Sequence, residues 1–487
     1  MSASALHPGS SLHPASIRAA CVPRGRWAFG LTGRSIALLI AGFVWLIPGF
    51  FDAQLSYAML AWDALVLLAA FLDGARLPRA AELSASRSWT NAPTLDSETE
   101  IELTIENQGR LIIDCRLVDD LPSALVEIPA TRRLAVFPRV PTSIRYRVEP
   151  QERGDCETGW LYVRYRSPLG LAERWAKAPL TQKVRVYPAL RTGEEQQIFL
   201  ARSRQIDLQL RRAQQRGLGR DFESLREYRE GDDLRDICWT ATARHGSPIT
   251  RQYQTERSQP VWIVLDCGRL MRSRVAAAAP GDRPSPLGPK TPDAEPRSHV
   301  HSKLDHACTT AVSLTQLALY SGDRVGLLAY GQGIQQRILP GRGAAHLRQL
   351  IESLAQVRAE SSEADHLRAT STISRLQPRR ALILWITDLA ESAMRPEVID
   401  GAMQLLRRHV LLFVAMAQPE VDLIAQTRPK NVEQMFRATA AQEMAGRREL
   451  LLARLHEQGA LTLDLNPEAL TSSVLNQYLT VKERAMV

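Results

Sequence analysis

Cysteine is scarce in these 487 residues, and the six present, at 21, 115, 156, 238, 267 and 308, never stand as Cys-x-x-Cys. That spacing excludes a zinc ribbon or a thioredoxin-type redox pair, and the low density excludes a disulfide-stapled scaffold, so they read as reduced cytosolic thiols. Aromatic residues amount to only 6%, and no basic block interleaves with them although the formal net charge is +9. The arginines are spread among acids, so no nucleic-acid partner is expected. The glycine-rich stretches "GLGRDF" (217–222) and "GRGAAH" (341–346) lack the Lys-Ser/Thr of a phosphate loop and read as turns. His299, His301 and His306 stand without a cysteine or a His-Glu-x-x-His helix, and no Gly-x-Ser-x-Gly elbow surrounds Ser247 beside His245. No cofactor is expected. What is there is a normal folding composition, 45% apolar and 23% charged, in a chain long enough for two or three domains.

Acids and lysines are also missing from residues 1–34, which carry four arginines and read as a cytoplasmic N-terminal tail. Two apolar stretches follow, Ser35 to Phe51 and Ala53 to Leu72, with Arg76, Arg79 and Arg87 after them. Each is near the length a helix needs to cross a bilayer, and the positive flanks put both ends of a two-helix transmembrane hairpin, 35–72, on the cytoplasmic side of the inner membrane. No small-residue cleavage site follows the first stretch, which argues against a signal peptide. Asp63 sits mid-span, where a carboxylate is costly, so it is expected to face the first helix or another protein rather than lipid.

From residue 80 to 190 the apolar period becomes two. "TEIELTIEN" puts Ile101, Leu103 and Ile105 on one face, and "SIRYRVEP" does the same with Ile144, Tyr146 and Val148. Turn signals between such short strands imply an antiparallel β-sandwich. Residues 191–259 form a connecting region, opened by a polar helix over 195–216. From 260 to 487 the strands become continuously apolar: "VWIVLD" (261–266), "RVGLLAY" (324–330), "ALILWITD" (381–388) and "HVLLFVAM" (409–416). They alternate with helices such as the one that stripes Leu304, Ala307, Cys308, Ala311, Thr315 and Ala318. The fold class is therefore multidomain: transmembrane hairpin, β-sandwich, then a doubly wound α/β domain. Residues 276–300 hold six prolines and read as a disordered insertion after its first strand.

The connecting region contains "GRDFESLREYREGDDLRDICWTATARHG", with seven carboxylates and five arginines around one tryptophan. Phe222, Arg226, Glu227, Tyr228, Gly231, Asp232, Asp233, Arg235, Trp239 and Arg244 are its candidate residues. Planar guanidinium–carboxylate pairs, backed by Trp239, Leu225, Tyr228, Leu234 and Ile237, suit either a clasp between domains or a surface for a partner. Catalysis by Glu227, Asp232 and Asp233 is the weaker reading, because adjacency in sequence does not set carboxylates across a cleft.

The order of apolar hairpin, sandwich closing on "SPLGL" and "VRVYP", this charged motif and an "LD" strand resembles the bacterial "domain of unknown function 58" family. The resemblance implies a von Willebrand factor A-like C-terminal domain and an association with a MoxR-type AAA+ ATPase. Such domains commonly bind Mg²⁺ through Asp-x-Ser-x-Ser and a later Asp. Here Asp266 and Asp388 take the acidic places, but Gly268 and Leu270 replace the serines, leaving a degenerate site that is poor for an ion preferring six oxygens. Without a metal, Asp266 and Asp388 are expected to cap strand ends and accept hydrogen bonds from neighbouring loops, and Arg269 offers a cation that could pair with one of them. The expectation is thus a non-enzymatic, membrane-anchored adaptor acting with that ATPase on a membrane-protein client, in envelope or protein-complex assembly. A Mg²⁺-dependent ligand-binding module is the alternative, and an enzyme using the central carboxylates the third.

Overall fold

The computed structural model describes residues 14–25, 28–45, 56–128, 132–189, 197–206, 221–229, 237–254, 258–276, 300–389 and 396–484. They fall into two units, Met1–Ala189 and Leu190–Val487.

Alternating side chains build the first unit. Along β5 (Thr99–Asn107), Ile101, Leu103 and Ile105 are fully buried while the residues between them are half-exposed. One antiparallel sheet runs β1 (Ile17–Ala20), β4 (Leu83–Trp89), β5, β9 (Thr142–Pro150), β7 (Leu125–Ile128). The other runs β2 (Val22–Pro23), β12 (Ala172–Ala178), β11 (Leu161–Arg166), β6 (Ile113–Asp119), β8 (Arg132–Val136), and β3 (Phe29–Leu31) also pairs with β12. Leu83 and Leu103 from one sheet and Cys115, Val163 and Tyr165 from the other share a single core, which makes this a sandwich. β10 (Gly154–Thr158) and β13 (Gln182–Val186) form a separate pair. None of the six cysteines is in a disulfide, and burial pushes the Cys21 thiol up to about 12.

Two expectations change here. The N-terminal tail is not wholly a tail, because residues 17–31 supply β1, β2 and β3 to the sandwich. The segment "IRAACV" is too short and too small to announce itself as strand. Arg87, counted among the charges flanking the apolar stretches, lies fully buried in β4. Its Nε donates to Asp119 Oδ2 at 3.1 Å and its Nη1 to Thr158 Oγ1 and the Leu180 carbonyl, each at 2.7 Å. Tyr146 also donates to Asp119.

The apolar stretches give α1 (Gly33–Gly42) and α2 (Ser56–Ala75). Among the described residues one helical segment, Tyr57–Glu82, which takes in nearly all of α2, is long and apolar enough to cross a membrane, with mean hydropathy 1.7. Residues 46–55, including the end of the first expected span, lie outside the described residues. Trp62 Nε1 donates to the Leu38 carbonyl at 2.9 Å, and a Cβ on Gly42 would lie 2.6 Å from Asp63 Oδ1. Asp63 therefore faces the first helix.

In the second unit, buried runs become central strands. The six-stranded sheet has the order β20 (Ile334–Gly341), β19 (Arg324–Tyr330), β16 (Pro260–Asp266), β21 (Leu382–Thr387), β22 (Val410–Met416), β23 (Leu461–Leu465), with only β20 antiparallel. On one face Trp262, Val264, Trp385 and Phe413 meet α6 (His366–Leu376), α7 (Pro396–Leu406) and α9 (Val432–Glu457). The expected stripe on α4 (Lys303–Tyr320) is buried at all six positions, and α4 packs on β16 and β19. Two edge strands escaped the sequence reading. β20 is largely polar and ends in Pro340-Gly341, while β23 is five residues long. The proline-rich insertion springs from a two-stranded stem, β17 (Arg274–Ala276) with β18 (Val300–Ser302), and 277–299, with His299, lies outside the described residues. His301 belongs to that stem and is buried edge-on to His306.

Because Asp119 would be left charged and buried, Arg87→Met should destabilise the sandwich by about 3–5 kcal/mol. Arg87→Met with Asp119→Leu should recover most of that loss. Denaturant titration of both variants checks this; an Arg87→Met protein as stable as its parent contradicts it.

Candidate functional site

Strand order places the candidate site. Relative to chain order the sheet reverses direction at β16, between β19 and β21, and in open α/β sheets the crevice beyond the C-terminal strand ends at such a reversal is where ligands bind. Asp266 closes β16, Thr387 closes β21, and Asp388 follows it directly in the chain.

Both acids are buried and supplied with donors. Asp266 accepts from Gly268 N at 2.7 Å and from Thr387 Oγ1 at 2.6 Å. Asp388 receives Lys303 Nζ at 2.5 Å and Gln418 Nε2 at 3.1 Å. Lys303 is 2% exposed and Asp388 fully buried, so this is an internal ion pair. Lys303 opens α4, just after Ser302, whose hydroxyl accepts from Asp305 N while the Asp305 carboxylate accepts from Ser302 N, each at 3.1 Å. A helix N-terminus disfavours a cation, and the Asp388 carboxylate offsets that cost. Around Asp266 lies a second polar chain: Trp385 Nε1 donates to Tyr330 Oη at 2.7 Å, and that hydroxyl meets His366 Nδ1 at 3.0 Å. Burial raises the Asp266 carboxyl above its ordinary 3.8; His366, the Thr387 hydroxyl and the Gly268 amide work against that shift, and Asp388 adds to it.

The cation buried against Asp388 is Lys303, which the sequence reading did not single out, while Arg269 is exposed. Gly268 does more than lack a hydroxyl. A Cβ there would stand 3.0 Å from Ala364 N and 3.1 Å from Asp266 Oδ1, in a loop pinned by Arg269 N donating to the Ser362 carbonyl. A serine at 268 would therefore need the neighbouring loop to move. No group of three His, Cys, Asp or Glu suited to a metal occurs among the described residues.

The charged motif divides. β14 (Asp221–Glu227) pairs antiparallel with β15 (Ile249–Gln254), Phe222 opposite Tyr253 and Arg226 opposite Thr250. The backbone continues the tie as Tyr228 N donates to the Pro248 carbonyl and Cys238 N to that of Ile249. Gly231, Asp232, Asp233, Leu234 and Arg235 lie outside the described residues. Trp239 opens the seven-residue α3 (Trp239–His245) and is 70% exposed, and Leu225 is 44% exposed. The expectation that both supply apolar backing is thus corrected: the pairing of β14 with β15 holds this segment, and the indole faces solvent. Glu227, Arg229 and Arg244 are exposed as well, and Tyr228 is half-buried.

This same stretch of chain matches a described family. Residues 224–278 and 290–425 match the family described as "Protein of unknown function DUF58". The DUF58 match takes in Trp239, Asp266, Lys303, Asp388 and Gln418, and its gap falls within the proline-rich insertion. Uncharacterized proteins of Mycobacterium tuberculosis and Mycobacterium bovis are 24% identical over 212 residues, 42% of this chain and 58% of theirs. This chain thus spans little more than half the length of those relatives. Among solved structures, the conserved hypothetical protein BatB from Bacteroides thetaiotaomicron is 12% identical, covering 47% of this chain and all of that one, with TM-score 0.28. An uncharacterized membrane spanning protein from Vibrio fischeri is 13% identical, covering 45% of this chain and 96% of its own, with TM-score 0.16.

Reading from sequence alone found Asp266 and Asp388 but missed Lys303, Thr387, His366 and Gln418. One signal was available: in "SKLDHA" a lysine stands in the first helical turn, inside a capping box, where a cation is disfavoured unless an acid meets it.

Lys303→Met should cost about 3–5 kcal/mol in denaturant unfolding because it strands Asp388, and adding Asp388→Leu should restore most of it. A pH series addresses Asp266. The native state holds its proton more tightly than the unfolded chain does, so unfolding free energy falls as pH rises from about 4 through the raised native value. Asp266→Asn should match the parent near pH 4 and gain on it toward neutrality; parallel stability curves would contradict this.

Proposed function

We propose that this chain is a membrane-anchored docking protein without catalytic activity, working with a MoxR-type AAA+ ATPase on a membrane-protein client in envelope or protein-complex assembly. α1 and α2 form the membrane hairpin in this reading, the bulk of the chain faces the cytoplasm, and the second unit is a von Willebrand A-like domain. The strand order, with one antiparallel edge strand beside the first two parallel strands, supports that last assignment.

The observation that carries the reading is the Lys303–Asp388 pair. In a metal-dependent A-type module the strand-end acids stay open so that an ion can bridge them to a partner's carboxylate. Here an ammonium already neutralises one acid, and Thr387 and Gly268 satisfy the other. Recognition then falls to surfaces outside the crevice, and the exposed Trp239, held at a fixed place beside the β14–β15 pair, has the character of an interface anchor.

Trp239→Ala in the full-length protein, extracted gently from membranes, should lower ATPase recovery roughly tenfold or more, as loss of an interface aromatic does. Its melting temperature should stay with the parent's, because a side chain this exposed contributes little to the core. Undiminished ATPase recovery contradicts the docking role; a large drop in melting temperature contradicts the exposure.

A further inference from the structure

We propose that the cavity between the C-terminal end of α2 and the sandwich binds a phosphate-bearing anion, and that its walls fit the headgroup of an acidic phospholipid. The cavity measures about 920 Å³ and is lined by Phe29, Phe71, Arg76, Arg79, Arg110 and Arg174, among others. Among the described residues that line it, Glu82 is the one carboxylate beside those four guanidiniums, which leaves the cavity strongly cationic. Glu82 is engaged by the backbone, accepting from Arg79 N at 3.1 Å. Arg174 Nη1 donates to the Leu77 and Pro78 carbonyls at 3.3 and 3.4 Å. Arg76, Arg79 and Arg110 are exposed and make no ion pair among the described residues.

The walls are built rather than incidental. The Asp73 carboxylate at the end of α2 accepts from Ser167 Oγ at 2.5 Å and Leu171 N at 3.2 Å, and Tyr165 Oη donates to the Pro78 carbonyl at 2.9 Å. Gly74 permits the packing of Phe29 on the helix, since a Cβ there would fall 2.2 Å from the ring. Phe71, 65% exposed, thus lines the same cavity as four planar guanidiniums suited to paired phosphate contacts. That combination of exposed aromatic and cationic lining matches an anionic amphiphile at a membrane–water boundary. The lipid source rests on α2 lying in a bilayer, as proposed above; the anion site itself does not.

The test uses the full-length protein in nanodiscs of phosphatidylcholine alone or with phosphatidylglycerol, with lipid retention read by native mass spectrometry. Inorganic phosphate is titrated in a separate arm with melting as readout. The parent should retain phosphatidylglycerol selectively. Arg79→Gln with Arg110→Gln should weaken retention roughly 25-fold, about fivefold per arginine, without changing melting in phosphatidylcholine. Stronger protection by phosphatidylglycerol than by inorganic phosphate assigns a lipid headgroup, and equal protection assigns a free phosphate; both uphold the site. If the double variant misfolds, Arg76→Gln carries the test, with about a fivefold loss expected and no loss overturning the proposal. Parent and variant responding alike to both anions also overturns it. Should alkaline carbonate strip the parent from vesicles while phosphate still protects it and not the variant, the membrane reading fails and the anion site stands.

Discussion

The buried pair of Lys303 with Asp388 is the constraint on which the reading of the second unit depends. It joins the start of α4 to the end of β21, elements far apart in the chain, across the place where strand order reverses. Neither partner is tolerable there alone, since each ion is buried and the ammonium and carboxylate compensate one another, with Gln418 also donating to Asp388. The pair therefore fixes α4 against the sheet at the C-terminal ends of its strands.

Two other internal pairs do comparable structural work. Arg87 with Asp119 links β4 to β6, one strand from each sheet of the sandwich. At the opposite end of the α/β sheet Lys482 reaches Asp323 at 3.3 Å, where Tyr478 also donates at 2.5 Å, tying the last helix to the start of β19. Burial raises the Asp323 carboxyl, and Lys482 is the main influence against that shift. Each pair specifies one arrangement of neighbouring elements, because any other arrangement would strand a charge. Trp239 and the arginines near the end of α2, proposed above for recognition, take no part in these buried pairs.

Much of the fold was legible because periodicity is a direct record of burial. The alternation in "TEIELTIEN" and the continuous run "VWIVLD" correspond to a one-faced and a two-faced buried strand. β20 and β23 were not legible, since an edge strand needs neither pattern. Nor was the contribution of residues 17–31 to the sandwich, whose pairing is set by strands far along the chain. In the candidate site the acids stood out by position, whereas Lys303 looked like one more surface cation among 61 lysines and arginines. What separates it from the rest is its three-dimensional partner. Trp239 shows the converse: a lone tryptophan among charges suggested a small apolar centre, but the helix it opens turns it to solvent.

Isothermal titration calorimetry of the full-length protein with Mg²⁺ and Mn²⁺ tests the central claim most directly. With Lys303 paired to Asp388 and no hydroxyl at 268 or 270, binding should be no tighter than roughly millimolar. Micromolar binding that disappears in Asp266→Ala would contradict the account and return the crevice to a metal-dependent role.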